Sequence, residues 1–223
     1  MSIEEQIAAR EITEILHFTT NRGLVGSLAK GFLLSRPLLS EDYLKYVLHL
    51  NAEIRPEEAS YFDKSEDWIR FVNLSVSEVN SRFLNVSRRW HTSEDVWWAI
   101  LAFSPTIVTH NNVWFSTTNN GYDGAIRGIG ESGFSNLFAP NVLRKSNGYS
   151  GNWSCSRSSR ESRLSTCEQA EVLYPEKLDL QYLNKVYVED ETHYDLVKGW
   201  VTDFELTEVC VEINKQKFIG KPN

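Results

Sequence analysis

The stretch T-C-E-Q-A-E-V-L-Y-P, residues 166–175, puts a carboxylate where a strand should be apolar. Ala170, Val172, Leu173 and Tyr174 suit a strand closed by Pro175. Glu171 stands two places before Leu173, so alternation sets both on one face. A buried carboxylate without a partner is costly. Two readings stay open: Glu171 lies on an open sheet edge, or it faces a cleft and does chemistry.

Working outward, Phe71–Val76 (F-V-N-L-S-V) alternates like a strand. Val96–Phe103 (V-W-W-A-I-L-A-F) is a continuous apolar run closed by Pro105, the pattern of a central strand. Residues 15–19, 113–117 and 185–188 read as further strands, and V-C-V-E-I at 209–213 as an edge strand. Residues 3–14 predict a short helix. Asn21-Arg22-Gly23 predicts a turn, and Leu24, Leu28 and Phe32 a helix that Gly31 ends. Ser40 predicts the N-cap of a helix over 40–51, followed by a charged loop to 67. Residues 177–183 read as helical or turn. Residues 119–165, rich in Gly, Ser and Asn, read as one long loop, a length more often functional than idle. These elements make an α+β fold with a central mixed, mainly antiparallel sheet flanked by helices. No repeat or hinge-like linker divides them, so the expectation is a single domain over 1–223.

The 223 residues are 41% apolar and 24% charged, ordinary for a globular protein. No run of 18 apolar residues predicts a membrane span. The polar, acidic start M-S-I-E-E argues against a signal peptide. Three cysteines (155, 167, 210), with neither a C-x-x-C nor a nearby His, argue against a disulfide framework or zinc site and fit a reducing cytoplasm. The net charge of −7 speaks by itself against a nucleic-acid partner, but it is unevenly spread. Arg144–Arg163 holds five basic residues and one acidic, net +4; Glu168–Glu208 holds eleven acidic and three basic, net −8. The basic stretch is either solvated surface or a phosphate-touching loop.

Common catalytic templates are absent. There is no phosphate-binding G-x-x-x-x-G-K-[ST], no G-x-S-x-G and no H-E-x-x-H, and the five His are scattered. G-A-I-R-G-I-G at 124–130 has no evident strand before it or helix after it, so it reads as loop. Three features remain, Glu171's strand among them. His17 and Thr19 share one strand face, either half-buried and satisfied or offered to a polar ligand. Arg55 lies in the polar loop after the 40–51 helix. Trp114, Tyr122, Phe134, Tyr149 and Trp153 flank the basic stretch, as core or as surfaces for stacked bases.

Taken in order, I-L-H-F-T-T-N-R-G-L-V-G-S-L-A-K-G-F-L-L-S (15–35) resembles the opening of the DarT-type ADP-ribosyltransferases, and C-E-Q-A-E-V-L-Y-P (167–175) resembles their catalytic strand. F-V-N-L-S-V and W-W-A-I-L-A-F look like the strands between. The resemblance runs from about residue 12 to 190 and implies an ADP-ribosyltransferase-like fold. It implies that His17, Phe18 and Thr19 hold NAD, with further contacts at Gly26 and Leu34. It makes Glu171 the catalytic glutamate and Arg55 the essential arginine, with Arg70 in reserve. It makes 119–165 the substrate-facing loop, where Arg157, Arg160 and Arg163 would meet the nucleic acid. The stretch 71–80 departs from the better-known branch, which bears on the substrate base more than on the chemistry.

The implied activity is that of a cytoplasmic toxin of a toxin–antitoxin pair. It would transfer ADP-ribose from NAD to a base in single-stranded DNA, with a cognate antitoxin as partner and no metal. A carboxylate beside the ribose would stabilise the positive charge that develops as nicotinamide leaves. Alternatives are the same chemistry on RNA or on protein, and a silent nucleic-acid-binding module on the same fold; Glu171 and His17 both being present favours an enzyme.

Overall fold

The computed structural model describes residues 1–39, 65–91, 93–145, 152–158 and 160–223. The expected helix at 40–51, most of the loop after it, Arg55 and Tyr149 lie outside the described residues.

An eight-stranded sheet runs through the molecule. In chain order its strands are β1 (Ile15–Thr20), β3 (Phe71–Val76), β4 (Trp98–Phe103), β5 (Trp114–Ser116), β6 (Arg127–Ile129), β9 (Glu171–Pro175), β11 (Leu183–Val188) and β12 (Cys210–Ile213). Across the sheet they lie β12-β11-β4-β1-β3-β9-β5-β6. Among the described residues of this sheet, β11 and β12 pair in parallel and the other pairs are antiparallel. This is the mixed, mainly antiparallel α+β architecture that the alternating segments predict. Two short pairs stand apart: β2 (Phe32–Leu34) with β10 (Lys177–Asp179), and β7 (Asn141–Lys145) with β8 (Trp153–Ser156).

W-A-I-L-A-F is buried at every position of β4, as a strand covered on both faces must be. On one face Ile15, Val72, Leu74, Leu101, Phe103 and Val172 join the main core with Leu24 and Leu28 of α2 (Asn21–Lys30). On the other, Leu16, Ile100, Ala102 and Tyr187 pack with Leu84 of α3 (Ser81–Trp90).

Local chemistry accounts for the departures. Asn21-Arg22-Gly23 is no turn, because Thr20 Oγ1 accepts from the Gly23 N–H and caps α2 directly at the strand end. Gly23 has to be small there: a Cβ would stand 2.2 Å from Thr19 Oγ1. Gly31, at φ 74°, ends the helix in the left-handed region as expected. Helix α1 (Ile3–Ala9) is shorter than 3–14 but has a complete capping box between Ser2 and Glu5. Helix α3, capped by Asn80, is mostly polar, but Phe83, Val86 and Trp90 recur in it at helical spacing. Residues 177–183 form β10 and then a 3-10 turn at 180–182.

The largest correction concerns 119–165. It is not one irregular loop: β6, helix α4 (Gly130–Asn136) and the β7–β8 hairpin occupy it. So the stretch 124–130 itself contains strand β6, and a helix does follow it. Phe134 of α4 is fully buried core rather than a stacking surface. The last helix, α5 (Glu191–Asp203), leads to edge strand β12.

Candidate active site

Strand β1 pairs with β4 over six residues but with β3 over two, Ile15↔Val76 and Leu16↔Ser75. Where that pairing ends a cleft of about 350 Å³ opens. His17 and Thr19 of β1, Gly26, Ser27 and Lys30 of α2, Leu34 of β2, Arg36, and Phe71 and Asn73 of β3 line it. Four positions singled out from the sequence, His17, Thr19, Gly26 and Leu34, are thus brought together. Phe18 is not: alternation turns its ring to the opposite face, onto Phe83 and Trp98.

Asn73 joins the two motifs. Its carbonyl accepts from His17 Nδ1 at 2.9 Å, and its side-chain amide donates to Glu171 Oε1 at 3.3 Å. Since a carbonyl only accepts, Nδ1 bears the proton. Burial holds the imidazole pKa below its ordinary value, so the ring is neutral and Nε2 is an acceptor.

Glu171 opens β9 opposite Ser116 and is 7% exposed, an interior position rather than an open edge. The Asn120 backbone N–H donates to Oε2 at 2.8 Å. Arg127 clamps Asn120 from the other side, with Nε to Oδ1 and Nη2 to the backbone oxygen, each at 2.6 Å. Burial pushes the Glu171 carboxyl up to about 7; its two hydrogen bonds and the Arg127 charge pull the other way without overcoming it. The result is a carboxyl poised near neutrality beside a cleft, the signature of a reactive group.

The basic stretch resolves into neither reading. Arg144 is 1% exposed and bonded to buried Glu168 at 2.6 Å. Arg157 donates to the carbonyls of Glu161, Ser162 and Leu164, and to Thr166 Oγ1. Arg160 pairs with buried Glu78 and donates to the carbonyls of Ser165 and Lys221. Arg157 and Arg160, expected to meet nucleic acid, instead join Arg144 in knitting the segment before Glu171 to the body of the protein. Arg163 alone stays at the surface, paired with Glu161. Arg70, the reserve for Arg55, ends the 3-10 turn at 65–70 and does not line the cleft.

Asn73, Asn120 and Arg127 were not singled out from the sequence. Asn73 had a legible signal: it is the polar residue between core residues Val72 and Leu74. Asn120 and Arg127 had none, because tertiary packing alone brings them to Glu171.

The cleft's chemistry suits a dinucleotide. His17, Thr19 and Ser27 offer hydrogen bonds, Lys30 and Arg36 suit a pyrophosphate, and Phe32, Leu38 and Phe71 wall it for flat rings. Among the described residues no group of three or more His, Cys, Asp or Glu could hold a metal ion. Nor is any described helix long and apolar enough to cross a membrane.

A family model described as ssDNA thymidine ADP-ribosyltransferase, DarT, matches residues 16–219. Among solved structures, Thermus sp. 2.9 DarT in complex with ADP-ribosylated ssDNA aligns with a TM-score of 0.62 at 16% identity, covering 91% of this chain and 95% of that one. The same protein in complex with NAD+ aligns at 0.56 and 14% identity, covering 91% and 96%. Thermosipho africanus DarTG in complex with ADP-ribose aligns at 0.59 and 16% identity, covering 93% of this chain but 51% of that one, so this chain spans about half its length. At such identities these likenesses speak for the fold. No curated protein matches the chain in sequence.

Proposed function

The chain belongs to the DarT family of ssDNA thymidine ADP-ribosyltransferases, and from that premise we propose that it transfers ADP-ribose from NAD to a thymine base in single-stranded DNA. The observation that carries the reading is the Glu171–Asn73–His17 connection, whose His17 and Asn73 line the cleft and whose Glu171 stands behind Asn73.

NAD supplies the ADP-ribosyl group, and nicotinamide is its leaving group. His17, Thr19, Gly26 and Leu34 hold the dinucleotide in the cleft, with Lys30 and Arg36 toward its pyrophosphate. Glu171, ionised, stabilises the positive charge that grows on the ribose as the glycosidic bond breaks, an interaction stronger in the transition state than before it. Asn73 and the Asn120 N–H keep that carboxylate aimed, and Arg127 braces Asn120. Arg55 is the arginine we assign to the reaction. A thymine imide paired in a duplex is blocked, which is why a single strand is the acceptor.

DarTG, by its name, suggests an antitoxin partner, and a base-modifying enzyme of this kind needs one. On the same reading the protein acts in the cytoplasm, where Cys155, Cys167 and Cys210 stay reduced. The 1–223 chain acts as one domain.

The test is transfer of label from adenylate-labelled NAD to four oligonucleotides: single-stranded DNA with and without thymidine, single-stranded RNA, and duplex DNA. Label on the thymidine-containing single strand alone is expected. Label on RNA alone would replace the substrate, and label on none, with NAD still bound, would withdraw the activity.

A further inference from the structure

Helix α3 carries two rows along one side. Arg82 and Arg89 are seven residues apart, as are Phe83 and Trp90, so each pair recurs on one helix face, about 10 Å along the axis. Phe83 is 42% and Trp90 39% exposed, and their rings meet edge to face at 6.2 Å. At the helix start the row continues onto the β7–β8 hairpin: Trp153, 48% exposed, lies 5.2 Å from the Arg82 guanidinium. Single exposed rings need no explanation, but a contiguous row interleaved with cations does.

The charges favour a polyanion. Arg82 donates to buried Glu168 while its side chain stays partly exposed, and Arg89 adds a positive charge at the exposed surface. This lies in a chain of net charge −7, where a cationic aromatic strip is the exception. Arginines alternating with part-exposed rings match phosphates and stacked bases, and Arg144 as well as Arg82 lies over the Trp153 ring, at 4.3 Å. The strip also ends where the chemistry begins. Arg82 reaches Glu168, three residues before Glu171, while Phe83 packs on Phe18, on the sheet face turned away from His17.

We propose that this strip is the track for the single strand flanking the acceptor nucleotide, with bases stacking on Trp153, Phe83 and Trp90 and phosphates lying against Arg82 and Arg89. The proposal rests on the reading of the chain as a single-stranded-DNA enzyme. It makes the protein a binder of several nucleotides rather than of one base.

The test is fluorescence anisotropy with thymidine-containing DNA of about 4 and about 16 nucleotides, the span of known single-strand sites, using Trp153→Ala and the double variant Phe83→Ala/Trp90→Ala. Each should bind the long strand about 5- to 150-fold more weakly, given the worth of one stacked base, and bind the short strand and NAD like the wild type. Unchanged affinity for the long strand would overturn the track; if the same variants then lost a protein partner, the strip would be a protein-docking face. Equal loss on both lengths would also overturn it. A wild type that modifies both lengths beside unaffected variants removes the track alone. A wild type that binds neither strand removes the functional reading with it.

Discussion

Burial and hydrogen bonding act on Glu171 in opposite senses, and burial wins, leaving its carboxyl at about 7 against an ordinary 4.5. The ionised form is the one that stabilises a cationic ribose. NAD cleavage is therefore expected to rise as pH passes from about 6 to 8; a flat profile would deny Glu171 that role. Asn73→Ala removes a donor that favours the carboxylate, so it should move the rise to higher pH and slow the reaction at neutrality. Stability runs the other way. The folded state holds the Glu171 proton between pH 4.5 and about 7 while the unfolded state has lost it, so stability falls as pH rises through that window, by up to about 3 kcal/mol. Glu171→Gln should then cut transfer by about 10²–10⁴-fold and yet resist urea at pH 8 at least as well as the wild type. The strand-bound carboxylate was legible in the sequence because a charge among Ala170, Val172 and Leu173 needs a reason. Its tuning was not, because Asn73 and Asn120 lie 98 and 51 positions away in the chain.

At the scale of elements, strands declared themselves by runs such as W-A-I-L-A-F, whose burial on both faces leaves no other use for six apolar residues. Residues 119–165 hid their structure because glycine and serine mimic loop composition. What orders them is packing: a Cβ on Gly133 would stand 2.4 Å from the Gly128 backbone, so β6 and α4 touch at two glycines. Gly133→Ala should accordingly lower Tm by several degrees, a cost of about 1–3 kcal/mol in overpacking. The same segment separates two roles for its arginines. Arg160→Ala removes the partner of buried Glu78, whose carboxyl burial already pushes up to about 7, so the carboxyl takes up a proton and the cost should be about 1–3 kcal/mol, whereas Arg163→Ala, at a surface pair, should cost under about 1 kcal/mol. Denaturant titration checks both. An Arg160→Ala protein of wild-type stability that bound DNA poorly would return that arginine to the interface.

Across the whole molecule, one sheet ties the first strand to the last, with β1 at its centre and β12 at its edge. His17 and Glu171, 154 positions apart, meet through Asn73 because β1, β3 and β9 are neighbours in that sheet. The sequence showed both motifs in the right order, but which strand lay between them was a matter of topology. A sheet shared in this way should unfold as a unit, so calorimetry should find one transition whose van't Hoff and calorimetric enthalpies agree; two separable transitions would contradict a single domain.

The central claim is tested most directly by the intact mass of a single-stranded DNA oligonucleotide with one thymidine, after incubation with NAD and either the wild type or Glu171→Gln. The account predicts a gain of one ADP-ribose unit with the wild type, lost when the thymidine is replaced by cytidine and absent with Glu171→Gln. An unmodified oligonucleotide with the wild type, or equal modification by both proteins, would contradict it.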